Sequence, residues 1–569
     1  MKQNGKPIVP DGNGGAALLQ TPGVQDAQDF IPFVNPATGE QFGSVPEATR
    51  EEITAARREM GAAAAIWAAK PIEERVRILR KLQEVIIDSL DEITAVINKD
   101  HGKSRQEAWA EVFITVEKMH LYHKKASEWL DVRKIPRGRA FLLSLSRNYY
   151  TEAMPFGVVA IIGPWNYPFE LVVPAMHSAL LAGNTVLIKP SEVSAATGVM
   201  IENLIERVPE LAPFVRFLHG SSSVGAALVQ TQPDLIFLTG SVATGHTVAQ
   251  AAAERMIPFL CELGGKDPMI VLDDADIPAA ARWGVWGGAA FNTGQSCVAV
   301  ERVYAVKEVY DEFLEAVIAE AKKISIGYSP EKNNLYNMGP LTFDRQVQII
   351  EDQLQDAQEK GAHIVYGGRI DGMFMEPTIV VDVDHTMKLM KEETFGPVIP
   401  IMKVDDETHA IQLANDSKFG LGAYVWSRNE QRAQRIAEQL EVGVININDV
   451  LAHYAVADLP FGGVKLSGNA RTHGKEEVMQ FTQPRSWAVG PPPLPFDPVT
   501  IVRSNNRYAL GTLLLHVLFG VSPQQRLEPV TDFIEEGGRK RKLGLAAAAA
   551  GAFGLLLAVT RLLKCPREA

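Results

Sequence analysis

The sequence predicts an α/β fold in two domains, and three observations predict it. Short β-branched runs at 157–162 (GVVAII), 185–188 (TVLI), 215–218 and 235–238 recur along the chain. Helical stretches of roughly 15–25 residues separate them, which is the pattern of a parallel sheet with crossover helices. A second alternating series starts near Met269 and runs past Val444. Several of the runs lead directly into Gly- or Pro-bearing turns, and the carboxyl ends of parallel strands are where such sheets bind ligands.

Composition bounds the chemistry. The 569 residues are 46% hydrophobic and 22% charged, an ordinary globular balance that excludes a disordered, collagen-like or polytopic membrane chain. A net charge of −12 argues against nucleic acid as a partner. Three cysteines, Cys261, Cys297 and Cys565, are too few for a disulfide scaffold and too scattered for a structural zinc, so no metal site is expected and a reducing compartment is.

In chain order, residues 1–29 are rich in Gly, Pro, Gln and Asp, carry no secretory signal and read as a flexible arm. Residues 51–69 and 73–98 read as charged helices with apolar residues three and four apart. After the strand 157–162 comes GPWNYP (163–168), where the Asn166 amide could stabilise an oxyanion. After 185–188 comes KPSE (189–192), whose Lys189 and Glu192 could hydrogen-bond sugar hydroxyls. GSVATG (240–245) lies between a strand and an Ala-rich helix, where a phosphate can approach helix N–H groups. Glu262 ends an apolar run ahead of two glycines, and a carboxylate in apolar surroundings gains the raised pKa that suits a general base. FNTGQSC (291–297) ends on Cys297 after a Gly-bearing turn, a place from which a thiolate can attack a carbonyl. Singly, each has an ordinary structural reading: a Pro-bounded turn, a solvated ion pair, a loop-entry Glu, a buried inert thiol.

Together and in this order, these motifs resemble the aldehyde dehydrogenase superfamily. The resemblance runs from NPATGE (35–40) to about residue 484 and includes EETFGP (392–397) and LPFGGVKLSG (459–468). It implies a Rossmann-like NAD-binding domain (30–132 and 152–262), a catalytic α/β domain (263–477) and a small β oligomerisation arm (133–151 and 478–489). It implies Cys297 as nucleophile, Asn166 with the Cys297 N–H as oxyanion hole, and Glu262 as the base that activates hydrolytic water. It places Ile162, Gly163, Pro164, Trp165, Lys189, Ser191, Glu192, Gly225, Gly240, Ser241, Thr244, Leu263, Gly264, Glu393 and Phe395 at the cofactor. NAD is preferred to NADP, because a 2′-phosphate beside Glu192 would meet a like charge. The assembly implied is a homodimer or a dimer of dimers. Some members carry a lysine and an acid as a proton exit, where this chain has Ala175 and Thr472. Cys261 reads as a small core residue.

The C-terminus departs from that frame. Residues 490–542 begin with a Pro-rich linker (GPPPLPFDP) and include the apolar stretch 508–521, which suits a membrane interface, a channel cap or a core helix equally. Residues 543–560 carry no charge and follow the basic run 539–542. As a helix they would reach about 27 Å, the thickness of a bilayer core. The alternative is an Ala-rich helix docked on the protein itself. We read 543–563 as a candidate C-terminal membrane anchor with the body on the cytoplasmic face; the alternative is a soluble cytoplasmic protein. That tail makes the chain resemble the fatty aldehyde dehydrogenases. The expected substrate is therefore a long-chain or otherwise apolar aldehyde, with Tyr167, Phe169, Trp286, Phe291, His453 and Tyr454 as candidate tunnel residues. Competing expectations are a short-chain aldehyde or semialdehyde, a CoA-acylating dehydrogenase, which Glu262 argues against, and a non-catalytic NAD-binding scaffold.

Overall fold

The computed structural model describes residues 29–136, 148–333, 336–490, 515–516 and 519–526. The expected arm at 1–28, most of the apolar stretch 508–521 and the candidate anchor 543–563 lie outside the described residues. Among the described residues no helix is long and apolar enough to cross a membrane.

An antiparallel hairpin of Phe30–Val34 and Gln41–Pro46 leads into α1 (Arg50–Ala68). Thr49 and Glu52 close a reciprocal capping box at its start. Residues 73–98, expected as one helix, form two: α2 (Ile72–Asp88) and α3 (Leu90–His101). The break is Ser89, whose φ of −95° and ψ of 10° leave the helical well. Its hydroxyl accepts from Arg207 at 3.0 Å, so the apolar spacing continues across a change of axis. Gly102, with φ of 90°, ends α3 in the left-handed conformation that glycine adopts without strain. The long α4 (Arg105–Leu130) starts at a second capping box, Ser104 with Glu107.

The first parallel sheet has five strands in the order Val215–Phe217, Thr185–Lys189, Val158–Ile162, Leu235–Gly240, Phe259–Leu263. From Val158–Ile162 the chain first moves outward to one side and then returns to build the other. The loops after Ile162 and Gly240 therefore diverge at the switch point. The register sets Ile162 beside both Lys189 and Leu238, and Thr239 beside Glu262. The carboxyl ends of four strands thus share one edge. The second sheet has seven strands, with Val300–Val306 and Asp267–Val271 near its centre. Its core is buried β-branched and aliphatic side chains, among them Ile270, Val303, Ile379 and Val425.

The described residues divide into two compact units, those within 1–132 and 152–485, and those within 133–151 and 486–569. In the second unit, Arg133–Ile135 pairs antiparallel with Tyr149 to Thr151, and the Tyr150 and Trp487 rings lie 5.3 Å apart.

Candidate functional site

The segment 291–297 has an unusual backbone. Asn292, Thr293 and Gly294 take φ values of 49°, 57° and 69° in succession. Two non-Gly residues in the left-handed region are strained and need support from their surroundings. Five hydrogen bonds supply it. Glu107 accepts the Asn292 N–H at 2.7 Å. Asn292 Nδ2 donates to the carbonyls of Asn166 at 3.1 Å and Gln295 at 2.9 Å. The Thr293 hydroxyl donates to the Gly339 carbonyl at 3.1 Å, and Gln295 Oε1 accepts the Thr342 N–H at 2.9 Å. At Gly294 a Cβ would collide with the Gly396 carbonyl, so this turn lies directly against 396–397. The result is a fixed, half-buried Cys297.

Asn166 stands beside that turn. Its Nδ2 donates to the Gln295 carbonyl at 3.3 Å, which uses one of its two N–H groups. Its own carbonyl accepts from Lys103 Nζ at 2.7 Å. Two buried ion pairs grip this loop: Lys103–Glu111 at 2.7 Å, and Lys118–Glu170 at 2.6 Å. Glu111 also accepts the N–H groups of Phe169 and Glu170, both at 3.2 Å. Glu111 and Lys118 are seven apart on α4, so both point from its buried face.

Glu262 is 2% exposed, and its Oε1 has no hydrogen-bond partner. Burial pushes its carboxyl well above the usual range, and the nearby Glu393 and Glu170 add to the rise. The next residues turn beneath the thiol: a Cβ on Gly265 would strike the Cys297 carbonyl, and the Gly265 N–H donates to Glu393 at 3.0 Å. Burial, then Glu301, pushes Glu393 up to about 8. The Cys297 thiol is also pushed well up, by burial first and then by Glu262, Glu393, Asp267 and Glu170. Glu301 ties this side together. It pairs with Lys266 at 2.5 Å and accepts the N–H groups of Thr394 and Phe395, each at 2.9 Å.

The residues expected at a cofactor gather at the shared strand edge. Lys189 is buried and lies 2.6 Å from Glu192, and the Ser191 hydroxyl accepts the Val193 N–H at 3.2 Å. Gly163 donates to the Lys189 carbonyl at 3.0 Å. Pro164 and Trp165 follow, and the Trp165 ring meets Phe395 edge-on at 5.3 Å. Ser241 caps helix Val242–Ala253, and its hydroxyl accepts the Thr244 N–H at 3.2 Å. Leu263 pairs with Gly240 across the sheet, and a Cβ on Gly264 would collide with the Glu393 carboxylate. These residues fit a nicotinamide dinucleotide. A Cβ added at Gly225 or Gly240 would meet only Lys189 or Leu238, each at 3.8 Å, so both glycines border open space. Ser241 opens a helix N-terminus there, the arrangement that receives a phosphate.

Sequence reasoning missed the two ion pairs, Glu107 and Glu301. A charged residue taken singly reads as solvated, whether it lies on a helix as Glu107 does, on a strand as Glu301 does, or in a turn as Glu170 does. Ala175 and Thr472 are buried, and the Thr472 hydroxyl has no partner. Cys261 is buried in the sheet core beside Asn469, as expected for a small packing residue. Of the aromatic residues expected in a tunnel, Tyr167, Phe291 and Trp286 form a chain, with ring centroids 6.1 and 4.8 Å apart. Tyr454 joins Glu170 by a 2.5 Å hydrogen bond. His453 stacks on Phe461 at 5.6 Å, and Phe169 is fully buried.

Comparison with known proteins agrees with this geometry. Residues 24–487 match the aldehyde dehydrogenase family. The 4,4′-diapolycopene aldehyde oxidase of Methylomonas sp is 39% identical over 496 residues, covering 86% of this chain and 91% of the relative. The succinate-semialdehyde dehydrogenase [NADP(+)] of Deinococcus radiodurans is 34% identical over 456 residues, covering 79% of this chain and 92% of the relative. Among solved structures, lactaldehyde dehydrogenase from Escherichia coli superimposes with a TM-score of 0.77 at 30% identity, over 82% of this chain and 97% of its own. NADP-dependent glyceraldehyde-3-phosphate dehydrogenase from Bacillus halodurans C-125 gives 0.77 at 31% identity, over 81% and 96%. None of these is named as a membrane-anchored fatty aldehyde dehydrogenase, the narrower resemblance expected from the tail, and two are named for NADP. Motif order, the strained thiol turn and these matches converge: the chain is an enzyme of the aldehyde dehydrogenase family.

Proposed function

We propose that this protein oxidises an apolar aldehyde to its carboxylate through a covalent intermediate on Cys297. The observation that carries the reading is the convergence of Cys297, the free N–H of Asn166 and the unpartnered, buried Glu262. The Cys297 sulfur bonds to the aldehyde carbon, and its proton passes to a carboxylate of raised basicity. The resulting oxyanion is held by Asn166 Nδ2 and the Cys297 backbone N–H. A nicotinamide dinucleotide, when bound, would supply the hydride acceptor that takes this oxyanion to a thioester. The thioester left on Cys297 is attacked by water that Glu262 deprotonates, which releases the carboxylate and restores the thiol. Glu262 suits that step because it is buried, which raises its basicity, and its Oε1 holds no competing hydrogen bond.

Lys189 and Glu192 would hold the adenosine ribose, Ser241 the pyrophosphate, and Glu393 with Phe395 the nicotinamide ribose. Glu192 favours NAD over NADP on charge. The aromatic chain Tyr167–Phe291–Trp286 supports an apolar substrate, as does the name of the diapolycopene relative. A tail at 543–563 that reaches a membrane would bring the enzyme to such substrates, and the assembly proposed is a dimer. The semialdehyde reading is favoured by the other relatives' names.

The test is a chain-length series from two to eighteen carbons, with NADH and NADPH formation followed in the full chain. A steep rise of kcat/KM with length supports the apolar reading; preference for short semialdehydes replaces it. Cys297→Ala should abolish turnover, and persistence of turnover would refute the mechanism.

A further inference from the structure

The buried cations around the thiol share one property. Lys103, Lys118 and Lys266 are each at most 2% exposed, and each faces a buried carboxylate: Glu111 at 2.7 Å, Glu170 at 2.6 Å and Glu301 at 2.5 Å. Arg302, the fourth buried cation here, donates to the carbonyls of Lys266, Leu413 and Ala414. None of the four offers an open charge. Glu170 lies four residues past Asn166, in the turn that leads into helix Val173–Leu181. Both of its oxygens are engaged, one by Lys118 and the other by the Tyr454 hydroxyl at 2.5 Å. Tyr454 is half-buried and packs against the same core as Phe291 and Trp286. Glu170 lies close enough to the site to raise both the Glu262 carboxyl and the Cys297 thiol, and each of the three buried lysines described here is already paired with a carboxylate.

That arrangement suits a neutral chain and opposes an anionic one. A carboxylate carried into a dry chamber needs a compensating cation and fixed donors. Placed opposite a like charge it is strongly disfavoured. We propose that the Lys118–Glu170 pair, locked by Tyr454, makes this site reject aldehydes that carry a distal carboxylate and accept uncharged ones of equal length. The proposal rests on the reading of Cys297 as the nucleophile. It separates this chain from relatives named for succinate semialdehyde, whose substrate bears that carboxylate. Glu170 acts here as a specificity-determining residue.

The experiment compares succinate semialdehyde with its methyl ester, which has the same chain and no charge. In the wild-type enzyme kcat/KM should favour the ester by at least about tenfold. Glu170→Gln leaves Lys118 uncompensated and should move the ratio at least about tenfold towards the free acid. Because an uncompensated lysine can prevent folding, the charge-free double variant Lys118→Met with Glu170→Gln is measured beside it. There the ester preference should shrink by at least about threefold. Binding of succinate against succinamide, followed by tryptophan fluorescence, should rank the three proteins in the same order without turnover. Equal use of acid and ester by the wild type, or an unchanged ratio in a folded variant, overturns the proposal. Absence of turnover with the binding order intact would instead refute the nucleophile reading and leave the charge selection standing.

Discussion

One oxygen of Glu107 accepts the backbone N–H of Asn292 at 2.7 Å, while its other oxygen caps α4 at Ser104. A single carboxylate thus starts the longest described helix and anchors the turn that presents Cys297. We expect Glu107→Ala to cost about 1 kcal/mol of stability, the usual worth of a cap. It should also lower kcat by about tenfold, because the strained turn loses a support. Thermal denaturation and steady-state kinetics check both. A stability loss with unchanged kcat would show that the turn holds without it.

Gly294 makes a sharper case. Its φ of 69° and the Gly396 carbonyl facing it leave no room for a side chain. Gly294→Ala should destabilise by about 1–3 kcal/mol, the range for such backbone strain. The neighbour is backbone and cannot swing aside, so Cys297 should shift and kcat fall by more than tenfold, about 1.4 kcal/mol or more in the barrier. Alkylation of Cys297 by iodoacetamide should slow in parallel.

In the proposed mechanism Glu262 governs the pH response. Its carboxyl is raised, so it is protonated and idle as a base well above the range where an exposed Glu ionises. Turnover should rise with pH through that raised value. Glu262→Gln should lower steady-state turnover by about 10²–10⁴-fold. It should also remove this limb while leaving a first-turnover burst of reduced cofactor. Loss of the burst together with turnover would place Glu262 before the thioester.

Glu301 supports Lys266, Thr394 and Phe395 together. Glu301→Gln leaves a buried ammonium uncompensated, at a cost of about 3–5 kcal/mol. The 393–395 segment should loosen, and the KM for the dinucleotide should rise more than the KM for aldehyde. A rise confined to the aldehyde would separate this segment from the cofactor.

Asp100, buried on α3 against Thr197, is pushed up to about 6 by burial, although Thr197 donates to it from both its N–H and its hydroxyl. The folded state therefore holds this proton more tightly than the unfolded chain. Stability contributed by the protonated form is present below about pH 4 and is lost as pH rises to about 6, by about 3 kcal/mol. Asp100→Asn should flatten the denaturation midpoint across that window.

The strand ends that gather the site were legible because β-branched runs give way to Gly or Pro at 163, 190 and 240. Local chemistry is written there in consecutive residues. Lys118 and Glu170 were not legible, since they meet across 52 residues and each alone resembles a surface charge. The division of α2 from α3 escaped for a related reason. Ser89 keeps the helical spacing of its apolar neighbours, and only its bond to Arg207, far along the chain, marks the bend. The thiol turn was legible as a motif, but its left-handed backbone was not, because Asn292 and Thr293 hold it through contacts rather than through preference.

Those contacts also decide when the proposed nucleophile comes into being. The turn at Asn292 is joined to partners 185 and 126 residues earlier in the chain, at Glu107 and Asn166. Links of that span form late, after the loops between them have closed. A chain still folding carries an ordinary cysteine at 297, without the donors that would make it useful. The onset of aldehyde oxidation therefore serves as a clock for completed folding, and refolding followed by activity should lag refolding followed by helix content.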